Sequence, residues 1–277
     1  MIDFPQTSRR GALAALLGTG AATWLQLPSA QAAQRVRVGI RGGIGEELWA
    51  EVAKAAKAKG LDVQLVVLGG AVSPNEALNN GDLEANAFQH LPFLQDQVRQ
   101  RGYQIVSAGN TLIAPIAFYS HKHKRLQDLP AKARVGIPND PSNQTRALVI
   151  LRDQGLIQLR DGFDPFSSTV GLADVTANPR QLQLVEAASN VLARSVPDLD
   201  AAAVINTFAY QVGLIATRDG IAVEKREREH NPYVNIIAVR SKDQDAPWVK
   251  ALVASFQTEA IRRFIETKYE GTLIPAF

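Results

Sequence analysis

The sequence predicts an α/β protein whose sheets carry helices on both faces. Three observations carry that prediction. Segments of strand length, alternating over residues 35–40 and reading as a buried strand over 61–68, recur between segments with helical spacing. Glycines close several of the helical segments, at Gly60, Gly81, Gly102 and Gly155. The chain has 277 residues, 46% hydrophobic and 21% charged, which is enough for two domains. The formal charge of +3 is spread without a basic stripe interleaved with aromatics, which argues against nucleic-acid binding. With no cysteine there is no disulfide framework, thiol nucleophile or thiolate metal site.

Residues 1–32 read as an address. Arg9 and Arg10 precede a mild apolar run over residues 12–27, and Ser29-Ala30-Gln31-Ala32 supplies a cleavage site after Ala32. Gly18, Gly20 and Pro28 break the run, whereas a membrane span needs roughly 20 apolar residues. The expectation is a twin-arginine export signal and a mature, soluble, periplasmic protein beginning near Ala33.

Residues 35–40 alternate as a strand, Gly42, Gly43 and Gly45 turn the chain, and residues 46–59 form a helix with Leu48, Val52 and Ala56 on one face. Residues 61–68 form a buried strand. The glycines do not fit G-x-G-x-x-G, and Gly69 and Gly70 stand where an acidic residue would hold a ribose, so no dinucleotide cofactor is expected. Helices follow from Pro74 to Asn80 and over residues 92–101, then strands over 103–108 and 114–120.

A strand over residues 134–137 leads into Pro138-Asn139-Asp140-Pro141, and a helix is expected to start near Ser142. Arg146 then falls in the first turn, where the helix dipole disfavours a cation unless an anion sits between its guanidinium and the free N–H groups. The alternative is a solvated arginine whose head bends away. Residues 172–175 mark a helix ending at Asn178-Pro179. Strands are expected over 183–186, 201–205 (ending in Asn206-Thr207) and 234–239, a short helix over 188–196, and one long amphipathic helix over 248–266. There are no internal repeats.

Six ordered segments carry a resemblance: Pro74-Asn75-Glu76-Ala77-Leu78; Gly81-Asp82-Leu83-Glu84-Ala85-Asn86; Phe88-Gln89-His90; Pro138-Asn139-Asp140-Pro141-Ser142-Asn143 with Arg146; Ala203-Val204-Ile205-Asn206; and Pro232-Tyr233-Val234-Asn235. Together they resemble the methionine-binding lipoproteins of NlpA type, substrate-binding proteins that serve methionine ABC importers. The resemblance spans residue 36 to the C-terminus. It implies a two-lobed periplasmic-binding-protein fold, type II-like, with two crossover strands over residues 110–120 and 234–240. Lobe 1 would comprise 33–113 plus 236–277 and lobe 2 residues 114–235. It implies a binding protein rather than an enzyme, without a cofactor, that delivers an amino acid to an ABC permease driven by its ATPase and meets the membrane only through that permease. Arg146 would grip the ligand carboxylate, Asn206 and Asn235 would hold its amino and carboxylate groups, and Asn143, Phe88 and His90 would complete the cleft.

The chain departs from the family pattern at Ala87, Gly70-Ala71 and Ala114, where aromatic residues are usual. If those aromatics wrap a thioether, each loss removes about 1 kcal/mol of contact and leaves room for a larger side chain than methionine's. The lipobox cysteine is also missing. Rival readings are a receptor for another small anion, such as a sulfonate or aromatic acid, and a metal receptor using His121 and His123. The lysines and arginines around those histidines weigh against a metal. No nucleophile elbow, paired carboxylates or H-E-x-x-H argue for an enzyme. The run over residues 224–229 reads as a solvated turn of mixed charge.

Overall fold

Val36, Val38 and Ile40 are buried completely in β1 (Gln34–Ile40) and so need apolar cover. α1 (Ile44–Lys57) supplies it with Leu48, Trp49, Val52 and Ala56 at helical spacing. The computed structural model describes residues 1, 33–69, 72–164, 169–225 and 231–277. The expected export signal, with Arg9, Arg10 and the Ala32 cleavage site, lies outside the described residues, as do Gly70, Ala71 and residues 226–230. Among the described residues no helix is long and apolar enough to cross a membrane.

β2 (Leu61–Val67) pairs parallel with β1. α2 (Pro74–Asn80) is capped by Ser73, whose Oγ accepts from the Glu76 N–H at 3.3 Å, and ends at Gly81, whose φ of 89° suits glycine. β3 (Ala85–His90), α3 (Leu91–Arg101) and β4 (Ile105–Ile113) follow. β5 (Ile116–Tyr119), β6 (Arg134–Pro138), α4 (Pro141–Asp153) and the short β7 (Gln158–Leu159) and β8 (Val175–Ala177) come next. Then come β9 (Gln183–Ala187), α5 (Ser189–Ser195), β10 (Ala201–Ile205), α6 (Asn206–Gln211), α7 (Ala216–Asp219) and β11 (Ala222–Val223). The chain closes with β12 (Val234–Arg240), α8 (Pro247–Phe256), α9 (Glu259–Tyr269) and β13 (Ile274–Pro275).

The first sheet has the order β13-β4-β12-β3-β1-β2, and the second β11-β5-β10-β6-β9. In each, a parallel core (β2, β1, β3; and β10, β6, β9) is extended by antiparallel strands. Each sheet is covered on both faces. Val249, Leu252, Phe256 and Ile265 join α1 on one face of the first sheet; Leu78, Leu83, Leu94 and Ile236 fill the other. In the second, Leu148 and Leu151 of α4 cover Val135 and Ile137, while Leu192 and Val196 cover Ala202 and Val204. A Cβ at Gly136 would lie 2.7 Å from Leu192 and Leu199, so glycine lets α5 approach β6.

Several expectations are corrected. The long C-terminal helix is two helices: Gln257 leaves helical geometry at ψ 59°, and the Thr258 Oγ1 starts the second by accepting from the Ile261 N–H at 3.2 Å. The strand expected over 103–108 runs on to Ile113. Pro115, which lacks an N–H, separates it from β5. Residues 172–174 form one 3-10 turn ahead of β8 rather than a helix. The chain passes from the first sheet to the second between Ile113 and Ile116 and back between Val223 and Val234. The stretch expected as the second crossover, residues 234–240, is β12, which pairs with β3 and β4 of the first sheet.

Candidate functional site

The carboxyl ends of β1 and β3 in the first sheet and of β6, β9 and β10 in the second open onto one cavity of about 270 Å³. Arg41 follows β1, His90 ends β3, Asn139 and Asp140 follow β6, Ser189 follows β9 and Thr207 follows β10; all line it. Crevices at such strand ends are where open α/β sheets bind ligands.

The backbone that presents Phe88 and His90 is fixed from within. Asn75 at the start of α2 exchanges two hydrogen bonds with Gln89, at 2.6 and 2.7 Å, and accepts one from Asn86 Nδ2 at 2.9 Å. All three amides are buried and satisfied, so these motif residues tie α2 to β3. His90 then caps α3: its Nδ1 accepts from the Phe93 N–H at 3.2 Å. That assigns the proton to Nε2, which donates to Asn143 Oδ1 at 3.1 Å and so joins the first sheet to α4. Burial, reinforced by the Arg146 charge, pushes the imidazole down to about 3, so it is neutral at ordinary pH.

α4 starts one residue earlier than the sequence suggested. Asp140 is the cap, its Oδ1 accepting from the Asn143 N–H at 2.9 Å, and Pro141 takes the first helical position. Arg146 therefore lies in the second turn, so the first-turn dipole argument does not apply to it. Nor is it solvated: it is 2% exposed. Its Nε donates to Glu224 Oε1 at 2.8 Å, Nη2 to Glu224 and to the Ala114 carbonyl, and Nη1 to Asn143 Oδ1 at 3.0 Å. Four of its five N–H donors are thus used, and its guanidinium lies 4.8 Å from the Tyr233 ring centre. Burial opposes the charge, but Glu224 outweighs it and holds the guanidinium above its usual range. Glu224 is itself held by the Ile116 N–H at 3.3 Å, so this member of the charged run is a structural partner rather than a solvated turn residue. Burial raises the Asp140 carboxyl against its hydrogen bonds from Asn143 and Ser142.

Of the residues singled out from the sequence, Phe88, His90, Asn143, Arg146 and Asn235 line the cavity. Asn206 does not, although Ile205 and Thr207 on either side do. It opens α6, donates to the Thr272 carbonyl at 3.1 Å, and leaves its buried Oδ1 without a partner among the described residues. Ala114 lines the cavity, whereas Ala87 faces a smaller one of about 50 Å³ among Leu48, Trp49, Leu112 and Phe256. His121 and His123 sit at the turn after β5, where the His123 N–H donates to Ser120 Oγ. Among the described residues no group of three or more His, Asp or Glu is placed to hold a metal.

Sequence reasoning missed Arg41, Phe93, Asn139, Ser189 and Thr207. The signal was available: each stands within a few residues of a parallel strand's carboxyl end.

The model of the NlpA lipoprotein family matches residues 36–277. The D-methionine-binding lipoprotein MetQ of Escherichia coli K12 is 44% identical over 240 residues, 85% of this chain and 86% of that protein. The D-methionine-binding lipoprotein MetQ of Yersinia pestis is 43% identical over 264 residues, 94% of each. Among solved structures, a nutrient binding protein from Burkholderia cenocepacia bound to methionine superposes with a TM-score of 0.82 at 43% identity, covering 87% of this chain and all of that one.

Proposed function

This chain belongs to the NlpA lipoprotein family, and from that premise we propose that it is an extracytoplasmic substrate-binding protein of an ABC importer. Its ligand is an amino acid, methionine or a larger relative, taken up in the cavity at the strand ends and passed to a permease powered by a separate ATPase. Residues 33–113 with 236–277 form one lobe and 114–235 the other, and ligand contacts made to both favour the closed state. The names of the relatives, which are binding proteins for D-methionine, support this reading over an enzymatic one. The observation that carries it is the polar set from both sheets lining one cavity: Asn235 and His90 from the first, Asn143 and Arg146 from the second.

In this reading the last Nη1 proton of Arg146 meets the ligand carboxylate, and Asn235, whose side chain has no hydrogen-bond partner among the described residues, binds the same α-amino-acid group. The Asn206 Oδ1 accepts from the ammonium once closure brings it within reach. Arg146 with Glu224 is already charge-neutral, which suits a zwitterion. Phe88 and His90 form the wall facing the ligand's side chain. Export follows the twin-arginine route; replacing Arg9 and Arg10 by Lys should leave the protein in the cytoplasm, as fractionation would reveal.

Calorimetry against L- and D-methionine, with mass spectrometry of whatever co-purifies, tests the assignment. Asn235→Ala should weaken binding by about 1–3 kcal/mol, the cost of leaving a ligand polar group unpaired. Unchanged affinity would remove Asn235 from the site, and no amino acid bound at all would end the reading.

A further inference from the structure

The cavity holds a second arginine whose situation is the reverse of Arg146. Arg41 leaves β1 with its guanidinium 5.4 Å from the Phe88 ring centre, and its Nη1 donates to the Leu68 carbonyl at 2.8 Å. That contact leaves the Nε–Nη2 edge without a partner among the described residues, and no carboxylate among them forms an ion pair with it. Burial alone acts on this cation, pulling it down with no acid to raise it. The other charges on the cavity wall are accounted for. Arg146 is matched by Glu224, and Asp140 caps α4 through Asn143 and Ser142. Arg41 also lines the smaller apolar cavity behind Phe88, with Leu48, Trp49, Ala87 and Phe256, so it stands where the two meet.

A half-buried cation over an aromatic ring, with a bidentate edge that no described residue uses, is built to receive an anion. Nothing in the fold supplies one among the described residues. We propose that Arg41 is a ligand-binding residue that receives an acidic group on the ligand's side chain, so that the preferred ligand is an amino acid with a second, distal anion such as a carboxylate or sulfonate. This inference rests on the amino-acid reading above. Arg146, Asn235 and Asn143 hold the α-amino-acid end common to all such ligands, while Arg41 selects among their side chains.

Calorimetry on the purified protein with L-methionine, L-homocysteate and L-2-aminoadipate tests it; the first two share a chain length and differ in the terminal group. At least one acid should bind about tenfold or more tighter than L-methionine, the scale of one charge-assisted hydrogen bond. Arg41→Met, which keeps the length of the stem, should erase that preference, read as the ratio of acid to L-methionine affinity. Arg41→Lys should keep part of it. Thermal unfolding of each variant separates loss of selectivity from loss of fold. Methionine binding without any preference for the acids, or acid affinity untouched by Arg41→Met, overturns this inference alone. Failure of all three compounds to bind overturns the amino-acid reading and this inference with it.

Discussion

The two sheets build opposite kinds of wall around one cavity. On the second sheet's side, the cap residue Asp140 with Asn143 and Arg146 of α4 form a cluster in which each member already has protein partners, closed behind by Glu224. On the first sheet's side, Arg41, Phe88 and Phe93 meet through ring contacts: a cation over a ring, and two rings edge to face at 6.1 Å. His90 belongs to the first sheet by chain and to the second by hydrogen bond. The difference teaches that the polar wall is part of the fold, so damage to it costs stability. The aromatic wall is more nearly free to vary, so changes there should alter the ligand first.

Substitutions can break or sharpen that contrast. Arg146→Ala should cost the most, about 3–5 kcal/mol in denaturant unfolding, because it empties a buried site and leaves Glu224, whose side chain is 14% exposed, without its counter-charge. Adding Glu224→Gln should recover part of the loss. A single variant as stable as the parent would show that the pair is not structural. Asn143→Ala removes the acceptor shared by His90 and Arg146, and should cost about 1–3 kcal/mol in the same measurement.

The pH dependence isolates His90. Its folded pKa lies below the ordinary value, so the unfolded chain binds the extra proton. Its contribution is complete above about 6.5 and declines as pH falls toward about 3. Carboxylates held low, such as Asp128 and Asp200, add their own acid lability, so the comparison is with His90→Gln. That variant should lose stability less steeply between pH 6.5 and 4; identical slopes would refute a neutral buried His90. The smallest stability effect belongs to the aromatic wall. Phe93→Leu should cost about 0.5–1.5 kcal/mol through its edge contacts with Phe88 and His90, with a larger proportional effect on ligand selectivity.

Much of this arrangement was legible in the chain. The strand at 134–137, the Pro-flanked turn and the helix carrying Arg146 could be read because apolar spacing and capping chemistry are local. β3 gave no alternation to read, since Asn86 and Gln89 are buried as an amide cluster rather than as apolar residues. The break at Gln257-Thr258 was hidden because the hydrophobic stripe continues across it. The surroundings of Arg146 were misread because Glu224 lies 78 residues away in a run that looks solvated.

By itself the sequence determined the α/β class, most of the strands and helices, the family, and five of the residues that line the cavity, because these depend on periodicity, caps and ordered motifs. The tertiary structure alone decided which cation is paired and which is not, the tautomer of His90, and that the Asn206 amide turns to the Thr272 carbonyl instead of lining the cavity. Those are set by burial and by contacts between residues far apart in the chain, and no local pattern encodes them.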